Sequence, residues 1–188
     1  MEDMLSSVLE TGEEVLWRGK PETFATMDKT NKPAIVKSEI IKAVVTVALI
    51  VGYILAAGNN GAGIKPGIVI IIVAVMVYAL IRPFTHANTL RRKVEYVITN
   101  QRLITVKDDV KGVEFDKIKT AELKTDDDGH TTLLCGPTAV KTEASKWRSD
   151  ATLSARFDSE TNDCDSLTWY AIPNAKEAEV LLKKYLPL

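Results

Sequence analysis

Residues 40–57 read IIKAVVTVALIVGYILAA, and residues 67–81 read GIVIIIVAVMVYALI. The first run holds one charge, Lys42, and the second holds none. Neither run has a polar face. A helix that is apolar all round needs protein or lipid on every side, and a domain of about a hundred residues cannot wrap two such helices. Between the runs lies Gly58-Asn59-Asn60-Gly61-Ala62-Gly63, followed by Lys65-Pro66. Glycine and asparagine suit a tight turn, and proline suits the first turn of the next helix. These features predict an antiparallel transmembrane hairpin over residues 38–84, with helices at 40–57 and 64–82. The second run is short for a hydrocarbon core of about 30 Å, so Lys65 and Arg82 are expected to snorkel at its ends. Lys42 is expected in the first turn of its helix, where its stem reaches the headgroups.

The charges flanking the hairpin orient it. Lys29, Lys32 and Lys37 precede it, Arg82, Arg91, Arg92 and Lys93 follow it, and the loop carries only Lys65. The positive-inside rule then places both termini in the cytoplasm of a multi-pass cell-membrane protein. The first fourteen residues are acidic and lack a basic stretch backed by an apolar one, so no cleavable signal is expected. Residues 1–37 read as a cytoplasmic N-terminal segment, with residues 12–20 fitting an edge strand.

After the hairpin the periodicity shifts toward two-residue alternation. Strands are expected at 94–99, 102–107, 113–115, 119–125, 130–135, 151–157 and 166–172. Turns fall at Asn100-Gln101, at 108–112 and at Asp126-Asp127-Asp128-Gly129, where Asp-Gly accepts positive φ. Residues 136–150 fit no element. The chain closes with a helix over 175–186. Asn174 stands at its N-cap and Glu177 three residues on. Ala178, Leu181, Leu182 and Tyr185 form its buried stripe. The fold class is therefore α+β: a transmembrane helical hairpin, then a seven-stranded β barrel or sandwich over 92–188 capped by a C-terminal helix.

That order of strands and helix is shared by pleckstrin-homology folds. Four runs add a more specific likeness: residues 12–21 (GEEVLWRGKP), 96–104 (YVITNQRLI), 115–118 (FDKI) and 172–175 (IPNA). On these the chain resembles the bacterial pleckstrin-homology-like family of membrane-associated proteins, formerly a domain of unknown function. The stretch around 141–150 departs from the family's pattern. The resemblance implies a non-enzymatic domain and fixes no ligand.

The residues themselves point the same way. The chain has two histidines, His86 and His130, and no HExxH, GxSxG or Walker motif. A calcium loop starting at Asp126 would need glycine at its sixth position and glutamate at its twelfth; Thr131 and Pro137 stand there. The acidic residues Asp158, Glu160, Asp163 and Asp165 read as a solvated loop. Cys135 and Cys164 form no CxxC pair, and a disulfide between them would require neighbouring strands. No metal or cofactor is expected. A formal net charge of −1 gives no global case for nucleic acid.

What remains is a binding role at the bilayer. Arg82, Arg91, Arg92, Lys93 and Arg102 are the candidate contacts to anionic lipid headgroups. The leading expectation is a membrane-anchored binding or scaffolding module at the cytoplasmic face, partnered by lipid, by another protein, or by a second copy through exposed β edges. The alternative is an oligomeric transport or pore-forming protein with a cytoplasmic β gate. Against it, Thr46 is the one polar residue near the middle of either helix.

Overall fold

A computed structural model describes residues 5–61, 63–142 and 155–188. The chain divides into two compact units: residues Thr26–Thr85, and Met1–Ala25 together with His86–Leu188.

The first unit is the hairpin. Helix α1 spans Lys32–Asn59 and helix α2 spans Pro66–Lys93, each of 28 residues. At 1.5 Å per residue each is about 42 Å long, so the second helix is not short. It continues through Pro83 and beyond the hairpin unit, and from His86 its residues belong to the second unit. Because α1 begins at Lys32, Lys42 lies about three turns inside it and not in the first turn. Its ammonium is held there by Glu39 at 2.7 Å and by the Ala79 carbonyl of α2 at 3.0 Å. At the loop end, the Tyr53 hydroxyl accepts the Lys65 backbone N–H at 2.8 Å.

The second unit holds eight strands among the described residues. One antiparallel sheet has the order β1 (Val15–Gly19), β2 (Glu95–Thr99), β3 (Arg102–Val106), β4 (Val110–Glu114). The other has the order β5 (Ala121–Thr125), β6 (Thr131–Cys135), β8 (Cys164–Trp169), β7 (Arg156–Phe157). Among the described residues neither sheet closes on itself, so the architecture seen is two open antiparallel sheets, and a seven-stranded barrel is not formed there.

The core lies between the sheets. Tyr96, Ile98, Leu103 and Thr105 share one face of β2 and β3 by their register. Trp169 of β8 stacks on Tyr96 at 4.8 Å and donates its indole N–H to the Thr105 hydroxyl at 2.9 Å. The Tyr96 hydroxyl accepts the Tyr170 N–H and donates to the Tyr170 carbonyl, both at 3.1 Å. Burial pushes the Tyr96 phenol up, so it stays a donor at any physiological pH. The opposite face of the same strands is also covered. Val97, Ile104 and Val106 pack with Leu5, and Leu9 and Val110 lie against them. Both faces of β2 are therefore buried along its whole length, with the polar Glu95 paired to Arg18.

Several boundaries differ from the sequence expectation for local reasons. The third strand begins at Val110, not Val113, because Val110 and Gly112 pair with Val106 and Ile104; Phe115–Lys117 then forms a 3-10 turn. His130 leaves β6 because its N–H is taken by the Asp126 carboxylate in the Asp-Gly turn. The last strand ends at Trp169, and Ala171 adopts a positive φ of 54°. Residues 137–142 form a short helix, α3 (Pro137–Thr142). Residues 151–154, including Leu153 of the expected sixth strand, lie outside the described residues. The closing helix, α4 (Ala175–Tyr185), buries Ala178 and Leu182. Asn174 stands at its N-cap in a left-handed conformation and makes no side-chain cap bond.

Gly136, after β6, has φ +88°, and a side chain there would collide with the Asp165 and Cys164 carbonyls. Left-handed backbone costs about 1–2 kcal/mol and overpacking about 1–3 kcal/mol. Gly136→Ala is expected to lower stability by about 2–5 kcal/mol, measured by urea unfolding followed through tryptophan fluorescence.

Candidate functional site

The run Thr99-Asn100-Gln101-Arg102 shapes the turn between β2 and β3, and it grips the N-terminal segment. Asn100 accepts the Glu14 N–H on its side-chain oxygen at 3.0 Å and donates to the Gly12 carbonyl at 3.0 Å. Its own backbone N–H goes to the Glu14 carbonyl at 3.1 Å. Arg102 donates through Nε and Nη2 to the two oxygens of Glu13, at 2.9 and 2.8 Å, and through Nη2 to the Val8 carbonyl. Glu10 lies 3.4 Å from Nη1. The Thr99 hydroxyl completes the Glu13 shell at 2.8 Å.

The Glu13 side chain is fully buried. Burial opposes its ionisation, but hydrogen bonds from Arg102, the Glu10 N–H and Thr99 outweigh that and hold its carboxyl below the usual range. The reciprocal bond to Glu13 raises Arg102, against a smaller opposing effect of its own burial. This clamp gives the YVITNQRLI run a physical reason: its polar residues are the receptor for residues 8–14. Glu13 was not a site candidate from sequence, because its partner lies 89 residues away.

The five basic candidates do not form one patch. Arg102 is committed to the clamp, with its side chain 15% exposed. Arg91, in the last turn of α2, donates to the Phe24 carbonyl at 2.7 Å and lies over the Phe24 ring at 5.3 Å. Lys93 is exposed and meets Asp108 at 3.5 Å. Arg82 and Arg92 are exposed and make no ion pair with the described residues. Arg82 belongs to the hairpin unit, and the other four to the β unit.

The two long helices carry an uncovered apolar surface. In each long helix, 6% of the most hydrophobic 18-residue window is buried. A core helix of a soluble protein is mostly buried, so that alternative does not describe these two. Ile40, Val44, Val47, Leu55, Ile70 and Val75 are all at least 60% exposed.

Other groups are occupied locally. The Asp158 carboxylate accepts the Glu160 and Thr161 N–H groups of its own loop, and Asp163 pairs with Lys119. No group of three metal-ligating side chains occurs among the described residues. Cys135 and Cys164 sit on neighbouring strands and are free and buried. Burial pushes the Cys135 thiol well up, with Cys164 adding to it, and lifts Cys164 to about 11. Both are protonated and poorly nucleophilic near neutrality.

No family model matches the chain. Neither a curated protein nor a solved structure matches it.

Proposed function

We propose that the protein is a membrane-anchored, non-catalytic binding or scaffolding module, with a pleckstrin-homology-like β unit held at the cytoplasmic face. The observation that carries this is the uncovered apolar hairpin joined to a β unit with its own core. Supporting this reading, seven strands from β2 to β8 precede a C-terminal helix, with the short helix α3 between β6 and β7 and β1 an eighth strand from the other side of the hairpin.

The pairing of β1 with β2 also bears on topology. Val15–Gly19 precedes the hairpin and Glu95–Thr99 follows it, yet they share a sheet. The chain must therefore leave and re-enter the same compartment, which fits two crossings. The lysines and arginines beside the helices favour the cytoplasm. Arg82, Arg92 and Lys93 are the residues left to meet anionic headgroups, each contributing about 1 kcal/mol near such a leaflet. The open edges at β4 and β5 suit a partner strand, and anchoring raises the effective concentration of a weak partner. The transport alternative gains little from Lys42, whose charge is tied to Glu39 and to a carbonyl of the adjoining helix.

Single cysteines at Asn60 and at Asp127, both exposed positions, test the reading. In intact cells an impermeant maleimide is expected to label the first and spare the second, and alkaline carbonate is expected to leave the chain in the pellet. Labelling of both from one side, or release by carbonate, would defeat it.

A further inference from the structure

Four pieces of the β unit converge beside the point where the chain enters the hairpin. The linker after β1 brings Glu22 and Phe24, the end of α2 brings Arg91, the β5–β6 turn brings Asp126 and His130, and the end of β8 brings Tyr170. Phe24 and Tyr170 are buried and meet edge to face at 4.9 Å. The His130 ring lies 6.3 Å from Phe24 and 6.0 Å from Tyr170. The Glu22 N–H donates to the Ala171 carbonyl at 2.7 Å. Phe24 is followed within two residues by Thr26, the first residue of the hairpin unit.

His130 is the unsettled member. Its side chain is 14% exposed, and its Nδ1 is buried without a hydrogen-bond partner. The Glu22 Oε2 stands 3.7 Å from that nitrogen, just beyond bonding distance. We propose that His130 and Glu22 form a proton-responsive joint that tightens the β unit's hold on the linker into the hairpin when the imidazole takes a second proton.

Both ring nitrogens of a charged imidazole are donors. Nδ1–H would then face a carboxylate, and closing 3.7 Å to a charge-assisted bond needs less than about 1 Å of movement by a partly exposed side chain. The charged group beside the ring is Glu22 of the linker; Asp126 of its own turn takes the His130 backbone N–H, and Arg91 of α2 lies over the Phe24 ring that meets the imidazole edge-on. Asp126 already accepts the Asp128 and His130 N–H groups on one oxygen and the Tyr170 hydroxyl on the other. That leaves Glu22 as the responsive carboxylate. The added hold requires the charged ring, so it is present where the imidazole carries its second proton and absent where it does not.

Residue-resolved hydrogen exchange on the full chain in nanodiscs tests this, with each rate normalised to the unstructured rate at that pH. Protection of the Glu22 amide is expected to be about two- to fivefold greater at pH 5.5 than at pH 8, the range for a partly exposed ion pair. Amides of β2 serve as the control. In Glu22→Gln, which keeps the backbone bond, and in His130→Gln, the difference is expected to vanish. Equal protection at both pH values, a parallel change in β2, or a pH effect that survives Glu22→Gln would each overturn the joint.

Discussion

Arg102→Ala is expected to cost the β unit about 3–5 kcal/mol, the range for stripping one partner from a buried ion pair. The cost falls on what is left behind. Glu13 would keep its buried position and the Thr99 and Glu10 bonds but lose both guanidinium contacts. The Val8 carbonyl would lose its donor as well. Leu5 and Leu9, packed over Val97, Ile104 and Val106, depend on that segment staying down. Urea unfolding of the full chain in detergent, followed through tryptophan fluorescence, gives the number. The double change Glu13→Gln with Arg102→Met removes both charges and is expected to recover much of the loss, as neutral replacements of buried pairs do. A double variant no better than the single one would mean that the clamp works through packing and not charge. The pH dependence has a definite sign. The Glu13 carboxyl is held low in the folded state, so its contribution is present above the ordinary carboxylate range and is lost as pH falls through its folded value. The acid limb of the stability curve is expected to flatten in Glu13→Gln.

The clamp also marks where sequence reading runs out. Turn chemistry is local, so Asn100-Gln101 and Asp126–Gly129 could be placed from residue types alone, and the hairpin from its missing polar faces. The strand at Val15–Gly19 lies within the 12–20 stretch that fitted an edge strand, but nothing near it in sequence says that it pairs with β2. Arg102 looked like a surface cation because the carboxylate that neutralises it sits on the far side of a sixty-residue hairpin. The partner of Arg91 is also remote in sequence, the backbone carbonyl of Phe24. Lys42 looked terminal because the apolar run starts at Ile40, whereas the helix starts eight residues earlier, in polar sequence that extends it without adding hydropathy. The neighbouring strands of Cys135 and Cys164 follow from sheet order, which periodicity does not encode.

The second large effect is expected where a soluble protein would show almost none. Leu49 and Val73 are 56% and 44% exposed, near the middle of the two apolar runs. An exposed apolar residue on a water-facing helix usually tolerates arginine within about 0.5 kcal/mol. With hydrocarbon as the solvent, arginine at a helix centre costs about 2.5–3.5 kcal/mol for insertion. Leu49→Arg with Val73→Arg is therefore expected to raise the cost by about 5–7 kcal/mol, the sum of two such insertions. The measurement is the fraction of chain inserted into microsomes, read by glycosylation of an acceptor site placed in the 58–63 loop. The same pair of changes at Val8 and Val180, exposed residues of the β unit, is the matched control and should leave insertion unchanged. Two arginines tolerated equally in both places would mean that water or protein, and not lipid, surrounds the helices.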